Sequence, residues 1–217
     1  MNLPLVKKYL TPNSILDIGA NVGQFYLTAK LTFPNAFIFS IEGNILCERH
    51  LSKNNPNYLI RLLDSEIRYR HLWLNRSSCL STGTSYYKEL SHYFDFDNAK
   101  SFAIKTDTLD DTFPHQIFDL IKLDTQGSEL DILKGGINLV QRSKAIILEV
   151  SHQPYNQDAP LTHEVIEYMT DINFLLKETL DTNAAPKQQL AHGKTFQSDY
   201  LFLNEWWYNY YEQLMQK

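Results

Sequence analysis

Short apolar runs rich in β-branched residues alternate with segments of helical spacing along most of this chain. The first strand is predicted at residues 14–18, a glycine-containing turn follows it, and residues 22–31 have the apolar spacing of a helix. A second strand is predicted at 37–41, a helix at 45–53 and a third strand at 58–63. Strands and helices in this order build a mostly parallel, doubly wound sheet with helices on both faces.

The pattern loosens in the middle of the chain and becomes regular again after it. Residues 64–105 contain short alternating pieces around a Ser/Thr/Gly-rich segment, which predicts an elaboration of strands and loops. Beyond it the predicted elements are strands at 118–123, 145–150, 174–177 and 200–203 and helices at 129–134 and 162–171. No internal repeat or linker interrupts the series, so one α/β domain is expected over residues 1–217.

Composition narrows the class of protein but not its chemistry. Hydrophobic residues make up 43% of the 217 and charged residues 21%, which is typical of a folded, soluble chain. No apolar stretch approaches the roughly 20 residues of a membrane-spanning helix, and residues 1–10 lack the apolar core of a signal peptide. We therefore expect no membrane partner. Two cysteines, Cys47 and Cys79, are too few for a disulfide framework or a four-sulfur zinc site, so we expect a reducing cytoplasm.

The charge of the chain bears on its partners. The net charge of -5 comes from 25 acidic and 20 basic residues, and the basic residues form no cluster. A phosphate-backbone footprint needs concentrated positive charge, so a nucleic-acid partner is not expected. The composition leaves the oligomeric state open.

The turn between the first predicted strand and its helix is a candidate for ligand binding. It reads DIGANVG over residues 17–23, and its glycines allow a tight turn and the close approach of a ligand to the backbone. The spacing is not the Gly-x-Gly-x-x-Gly of dinucleotide folds, and an acid at the strand end would repel a pyrophosphate. The ammonium and sulfonium of S-adenosylmethionine suit that acid better. The alternative is an ordinary turn in which Asp17 caps the helix.

A second acid stands at the end of the second predicted strand. Glu42 follows Asp17 by 25 positions, and a carboxylate there can accept hydrogen bonds from both hydroxyls of a ribose. Ligands of open α/β sheets bind outside the carboxyl ends of the strands. The two acids together therefore favour a nucleoside-containing ligand over a Glu42 that is merely solvated.

The segment DLIKLDTQGSELDIL, residues 119–133, brings a third acid to the same edge of the sheet. Asp124 ends the predicted strand, where it could orient an acceptor, accept its proton or bind a metal. For Glu129, a role at the helix N-terminus is as reasonable as a role in a site. Lys122 lies within the apolar strand, where a structural ion pair is more frequent than a catalytic amine.

The next predicted strand ends in further candidates for acid–base chemistry. Glu149 closes it and His152 begins the following loop, although a lone histidine is most often structural. The loop at 153–157 has polar and aromatic groups that could contact a polyol, and the alternative is an ordinary turn. Oxygen and imidazole ligands also suit magnesium, manganese or zinc, so a divalent cation is possible but is not identified by residue type.

Together these segments resemble the FkbM-type family of S-adenosylmethionine-dependent methyltransferases, from residue 15 almost to residue 202. The matching segments follow the order of that family, and IKLDTQGSEL is the most specific of them. They are ILDIGANVGQF at 15–25, IEGN at 41–44, TGTSYY at 82–87, TLD at 108–110, IKLDTQGSELDILKGG at 121–136, LEVS at 148–151, PYN at 154–156 and DYLF at 199–202.

The resemblance implies a class I methyltransferase fold, with a seven-stranded sheet whose last-numbered strand is antiparallel. It also implies O-methylation of a hydroxyl on a sugar, a glycan or another small metabolite, with S-adenosylmethionine as the cofactor. The glycine turn would line the methionine part, Glu42 would take the ribose, and Ser85 with Tyr86 would cover the cofactor. The implied cofactor-binding residues are Asp17, Gly19, Ala20, Asn21, Gly23, Glu42 and Ser85. The residues Asp124, Gln126 and Glu129 would belong to the acceptor side or to a cation site.

Methyl transfer from a sulfonium is an in-line displacement, so the acceptor oxygen must be aligned and must lose its proton. The catalytic candidates are Asp124, Glu149 and His152, which we expect to converge in one pocket. A clear acid for the adenine amino group is missing, although Asp64 and Ser65 lie near the expected place. No long insertion defines an acceptor pocket.

Two other functions stay open at this point. One is a methyltransferase acting on a peptide or a nucleic acid, of which the acidic charge disfavours the second. The other is a non-catalytic binding module that keeps the cofactor fold and uses the aromatic segment 206–211 for assembly. We expect that segment to form a helix packed on its own sheet.

Overall fold

A computed structural model describes residues 1–74, 83–90, 99–184 and 195–215. Cys79 and Thr82, and with them the start of the TGTSYY segment, lie outside the described residues.

A seven-stranded sheet forms the centre of the structure, and a two-stranded sheet lies apart from it. The strands are β1 (Ser14–Ile18), β2 (Phe37–Glu42), β3 (Tyr58–Ile60), β4 (Tyr69–Leu74), β5 (Lys100–Lys105), β6 (Leu120–Leu123), β7 (Ala145–Ser151), β8 (Phe174–Ala184) and β9 (Thr195–Asn204). The order across the large sheet is β3-β2-β1-β6-β7-β9-β8, and β9 is antiparallel to both of its neighbours. The predicted doubly wound sheet with an antiparallel last strand is confirmed.

Helices cover both faces of this sheet. They are α1 (Gln24–Thr32), α2 (Glu48–Asn54), α3 (Leu109–Thr112), α4 (Glu129–Lys134), α5 (Ile137–Gln141), α6 (Thr162–Asp171) and α7 (Glu205–Met215), with 3-10 helices at Leu3–Lys8 and Ile45–Cys47. One core cluster joins the sheet to α3, α4, α5 and α6 through Leu109, Leu133, Leu139 and Val165. A second joins the opposite face to the first 3-10 helix, α1 and α7. The alternation of apolar strands and amphipathic helices produces this three-layer arrangement.

The aromatic segment 206–211 lies in α7, as expected. Trp207 and Tyr208 pack against the second core cluster, whereas Trp206 stays 75% exposed and stacks on Tyr210. The helix therefore covers its own sheet with one face.

Several element boundaries differ from the predicted ones. The single helix predicted at 45–53 is a 3-10 turn followed by α2, because the Asn44 side chain accepts the Leu46 amide and caps that turn separately. Both β8 and β9 are longer than predicted, and three register shifts interrupt their ladder. Within the described residues, no helix is long and apolar enough to cross a bilayer.

Candidate functional site

A cavity of about 460 Å³ opens at the carboxyl ends of β1, β2, β6 and β7. This is the edge at which open α/β sheets bind their ligands. Its polar and charged lining includes Asn21, Glu42, Asn44, Thr84, Ser85, Lys122, Asp124, Gln126, Glu149 and Asp199. Residues from seven strands and from the segment 83–90 thus line one cavity.

The glycine turn after β1 is held between β2 and β6. The amides of Gly19 and Ala20 both donate to the Ile41 carbonyl, at 2.9 and 3.0 Å. Gly19 has φ +81°, and a Cβ there would lie 1.9 Å from the carbonyl oxygen of Asp124. Only glycine fits this contact, which joins the turn to the end of β6. Gly23, with φ +93°, starts α1 and does not line the cavity.

Asp17 lies beneath this turn rather than in the cavity lining. Its side chain is fully buried, and the sheet register puts it directly beside Ser40 on β2 and Lys122 on β6. Ser40 Oγ donates to its Oδ2 at 3.2 Å, and Lys122 Nζ lies 3.6 Å from its Oδ1. Burial raises the pKa of Asp17 despite the lysine. Its contact with the methionine part of a cofactor, implied by the resemblance, stays a prediction.

Glu42 faces the cavity from the end of β2 and organises the backbone around it. Oε2 accepts a hydrogen bond from the backbone amide of Asn21 and Oε1 accepts one from the backbone amide of Asn44, both at 2.7 Å. Burial raises the pKa of Glu42, and the two amides partly oppose this. Each carboxylate oxygen can accept a further hydrogen bond, which is what a ribose diol would require.

Two buried polar atoms of the cavity lining lack a hydrogen-bond partner among the described residues. They are Nδ2 of Asn44 and Oγ1 of Thr84, and both residues line the cavity. Buried polar groups are nearly always paired, so a bound molecule or water is expected to complete them.

Asp64, near the place expected for an adenine-binding acid, forms ion pairs with two arginines instead. Arg68 Nε and Arg70 Nε lie 2.7 and 2.8 Å from its Oδ2, and Asp64 does not line the cavity. Burial opposes its charge, but these arginines outweigh burial and lower the pKa of Asp64. Leu62, Leu63 and Tyr86 supply an apolar part of the lining instead. Ser85 also lines the cavity, and its predicted role in covering the cofactor stays a prediction.

The buried Lys122 ammonium and the partly exposed Asp124 carboxylate form an ion pair at the other end of the cavity. Nζ of Lys122 lies 3.1 Å from Oδ2 of Asp124 and 5.3 Å above the ring of Phe25. Burial disfavours the ammonium, but the charges of Asp124 and Asp17 raise the pKa of Lys122 above its usual range. Burial likewise opposes the Asp124 carboxylate, but Lys122 and a bond from Gln126 lower its pKa. Asp124 is therefore held ionised, and Lys122 takes the ion-pair role predicted for it.

Gln126 links Asp124 to Glu149. Its Nε2 donates to Asp124 Oδ1 at 3.1 Å and to Glu149 Oε2 at 2.6 Å, from a backbone with φ +56°. Gln197 Nε2 donates to the same oxygen of Glu149 at 3.0 Å. Burial and the negative charge of Asp124 raise the pKa of Glu149 well above its ordinary value. Within this pair, Glu149 is the member that takes up a proton first.

The Glu129 carboxylate accepts hydrogen bonds from the turn that precedes α4 and does not reach the cavity. Its Oε1 accepts the Thr125 amide at 2.7 Å and its Oε2 accepts the Gly127 amide at 3.0 Å. The residue is buried and does not line the cavity. Burial raises the pKa of Glu129 to about 6.

His152 does not join Asp124 and Glu149 in the cavity lining. Its two ring nitrogens lie 2.9 Å from Ser198 Oγ and 3.1 Å from Thr162 Oγ1. Burial lowers the pKa of His152, which favours the neutral ring. The expected convergence of three groups is thus present for two of them. The loop at 153–157 also lies outside the cavity lining and pairs with the segment 83–90 instead.

Asp199 is a lining residue that sequence reasoning did not select. It lies directly opposite Glu149 on β9, and burial together with the charge of Asp124 raises the pKa of Asp199 to about 6. Because β9 is antiparallel, its early residues, not its last ones, reach this edge of the sheet. The DYLF segment was the only signal for it.

Within the described ranges, no group of three or more His, Cys, Asp or Glu side chains is arranged to hold a metal ion. The predicted cation site therefore gains no ligand set from this part of the chain.

The methyltransferase FkbM domain family matches residues 17–176. No curated protein matches the chain in sequence. Three similar solved structures are an FkbM methyltransferase from Methylobacillus flagellatus KT, the magnesium protoporphyrin IX methyltransferase of Synechocystis PCC 6803 with bound S-adenosylmethionine, and a precorrin-6y C5,15-methyltransferase from Geobacter metallireducens GS-15.

The likeness to these structures is one of fold. The first has a TM-score of 0.53 and 14% identity, over 88% of this chain and 43% of that one. The second has 0.52 and 9%, over 93% and 74%, and the third 0.50 and 15%, over 93% and 86%. The chain thus spans less than half the length of the first structure.

Proposed function

Since the chain belongs to the FkbM methyltransferase family, we propose that it transfers a methyl group from S-adenosylmethionine to a hydroxyl of a sugar, a glycan or another small metabolite. One observation supports this above all others. A single cavity is lined both by Glu42, an acid suited to a ribose, and by Asp124, an acid suited to a proton-transfer role. We include a cytoplasmic location in the proposal because two cysteines are too few for a disulfide framework.

The cofactor half of the cavity fits this molecule. Glu42 is available to the ribose hydroxyls, and the turn at Gly19 brings backbone close to the cavity without a side chain in between. The unpartnered Nδ2 of Asn44 and Oγ1 of Thr84 offer polar contacts to a purine nucleoside.

The acceptor half of the cavity supplies the acid–base chemistry. When bound, S-adenosylmethionine supplies a methyl group on a sulfonium, and the group that leaves is a neutral thioether. Asp124 accepts the hydroxyl proton of the acceptor while Lys122, at 3.1 Å, keeps the carboxylate ionised beforehand. Gln126 fixes the orientation of Asp124 by donating to its Oδ1 at 3.1 Å. Alignment of the acceptor oxygen contributes much of the rate.

The experiment is an acceptor screen with S-adenosylhomocysteine release as the readout, run beside calorimetry of cofactor binding. Turnover of sugars or other hydroxylated small metabolites is expected. Turnover of peptides or nucleic acids alone would contradict the acceptor class, and cofactor binding without turnover in any class would indicate a non-catalytic module. Loss of activity with chelator, restored by magnesium, would make Asp124 a metal ligand instead of a base.

A further inference from the structure

Asp199 is a buried carboxylate that faces the cavity and has no side-chain partner in the described part of the chain. The residue is 7% exposed, lines the cavity, and makes no side-chain hydrogen bond or ion pair with a described residue. Burial of an unpaired carboxylate costs free energy, and such groups are found paired in nearly all proteins. Its position opposite Glu149 on the neighbouring strand gives the cavity a second acid at the same level of the sheet.

The charges around Asp199 are unbalanced. Five carboxyls, those of Asp17, Glu42, Asp124, Glu149 and Asp199, lie around the single ammonium of Lys122, and they outnumber it even when Glu149 is protonated. The amino group of Met1 and the Asp181 carboxylate also line the cavity, but they pair with each other and add no net charge. S-adenosylmethionine carries two positive charges and one negative, which offsets only part of the excess. A further cation beside Asp199 would offset part of the negative charge that remains.

The missing cation is better supplied by an organic ammonium than by a metal. No set of three acidic, histidine or cysteine side chains within the described residues is close enough to bind a metal ion, although Asp124, Glu149 and Asp199 all line this part of the cavity. An ammonium needs fewer ligands, because one carboxylate and neighbouring polar groups satisfy its three N–H donors. A neutral polyol could donate hydrogen bonds to Asp199 but would leave its charge uncompensated.

We propose that the acceptor carries a protonated amine beside the hydroxyl that is methylated, as in an amino sugar or an aminocyclitol, and that Asp199 holds this ammonium. This proposal rests on the proposed methyl transfer, because only that reaction makes the bound molecule an acceptor. The binding of an ammonium at Asp199 can be measured separately from the reaction. Glu149 shares the wall, with both Gln126 and Gln197 fixed on its Oε2. Asp199 thereby selects the acceptor, and Asp124 accepts the proton of the acceptor hydroxyl.

Paired probes test the proposal. A panel of amino sugars and aminocyclitols is compared with the N-acetylated form of each, since acetylation removes the charge and keeps the hydroxyls. Binding is measured at pH 7 by calorimetry with S-adenosylhomocysteine present. We expect at least one amine to bind about tenfold more tightly than its acetylated form, as a charge-assisted hydrogen bond allows. Asp199→Asn should remove that preference, and the exposed Asp171→Asn should keep it.

Three results would overturn the ammonium site: equal or tighter binding of the acetylated forms throughout, an unchanged preference in Asp199→Asn, or no binding by any amine. Thermal unfolding of Asp199→Asn checks that the variant folds, and removing an unpaired buried charge is expected to leave its stability unchanged or higher. Release of S-adenosylhomocysteine is followed with the same panel. Asp199-dependent binding without release would refute methyl transfer but not the ammonium site, and turnover of acetylated forms alone would do the reverse.

Discussion

Replacing Lys122 by methionine removes one charge from the centre of the site and little else. The lysine is 3% exposed, and its Nζ lies 3.1 Å from Asp124 and 3.6 Å from Asp17. Methionine is close in length to the alkyl part of lysine, so the packing near Phe25 is largely kept. Lys122→Met therefore isolates the effect of leaving the fully buried Asp17 carboxylate and the partly exposed Asp124 carboxylate without their cation.

The expected loss of stability at pH 7 is about 3–5 kcal/mol, the usual consequence of breaking a buried pair from one side. At about 1.4 kcal/mol per tenfold change, this lowers the folding equilibrium constant by roughly two to four orders of magnitude. In the native protein the pKa of Asp124 is lowered, so its favourable contribution is present above the ordinary carboxyl pKa and is lost as pH falls. In the variant the charge of Lys122 is gone, while the hydrogen bond from Gln126 still opposes burial, so that pKa rises. The penalty is then largest near neutral pH and shrinks as acid protonates the carboxyls.

Urea unfolding followed by circular dichroism at pH 7 and pH 4.5 measures both quantities. The matched control is Lys144→Met, because Lys144 pairs with Asp119 at 2.8 Å but is 37% exposed. That half-exposed pair is expected to contribute no more than about 1 kcal/mol. A Lys122→Met penalty no larger than that of the control at pH 7, or one that grows as pH falls, would refute the reasoning.

Three further predictions concern the cavity. Glu42→Ala should weaken S-adenosylmethionine binding by about one to two orders of magnitude in calorimetry, through lost charge-assisted hydrogen bonds, and wild-type affinity would reject the ribose contact. Asp124→Asn should lower kcat by roughly 10²–10⁴ with cofactor affinity little changed, and near-wild-type turnover in saturating substrates would remove Asp124 from the reaction. Gly19→Ala should destabilise the fold by more than the roughly 1–3 kcal/mol of a strained φ, since its Cβ would meet a backbone oxygen at 1.9 Å. Gly43→Ala is the control in urea unfolding, because its Cβ would meet only the movable end of Leu62, and equal losses would contradict the steric argument.

The sheet could be predicted well because its strands are short apolar runs with clear turns between them. The strand Ser14–Ile18 and the helices at 129–134 and 162–171 have the predicted bounds. The helices α3 and α5 are too short, at four and five residues, to produce a hydrophobic period. The extra length of β8 comes from its pairing with β9, which a local pattern does not contain.

The site could be predicted only where the rule about strand ends applies. Glu42 and Asp124 lie at and just beyond the carboxyl ends of parallel strands, Glu149 lies two residues before the end of β7, and all three line the cavity. The rule does not identify Asp199, because this residue reaches the same edge from an antiparallel strand. His152 follows a strand end as predicted, but hydrogen bonds to neighbouring hydroxyls hold its ring outside the lining. Which way a side chain turns depends on such tertiary contacts and not on its position along the chain.

The insertion of β9 between β7 and β8 has a consequence for how the protein is made. Until β9 has been synthesised, β7 is the open edge of a growing sheet, and its residues Ala145 to Leu148 are all apolar. An exposed apolar edge readily pairs with another chain, so aggregation is most probable in this interval. The same strand that closes the edge also brings in Asp199 and Gln197. A nascent chain therefore brings Asp199 to the cavity in the same step that covers the apolar edge of β7.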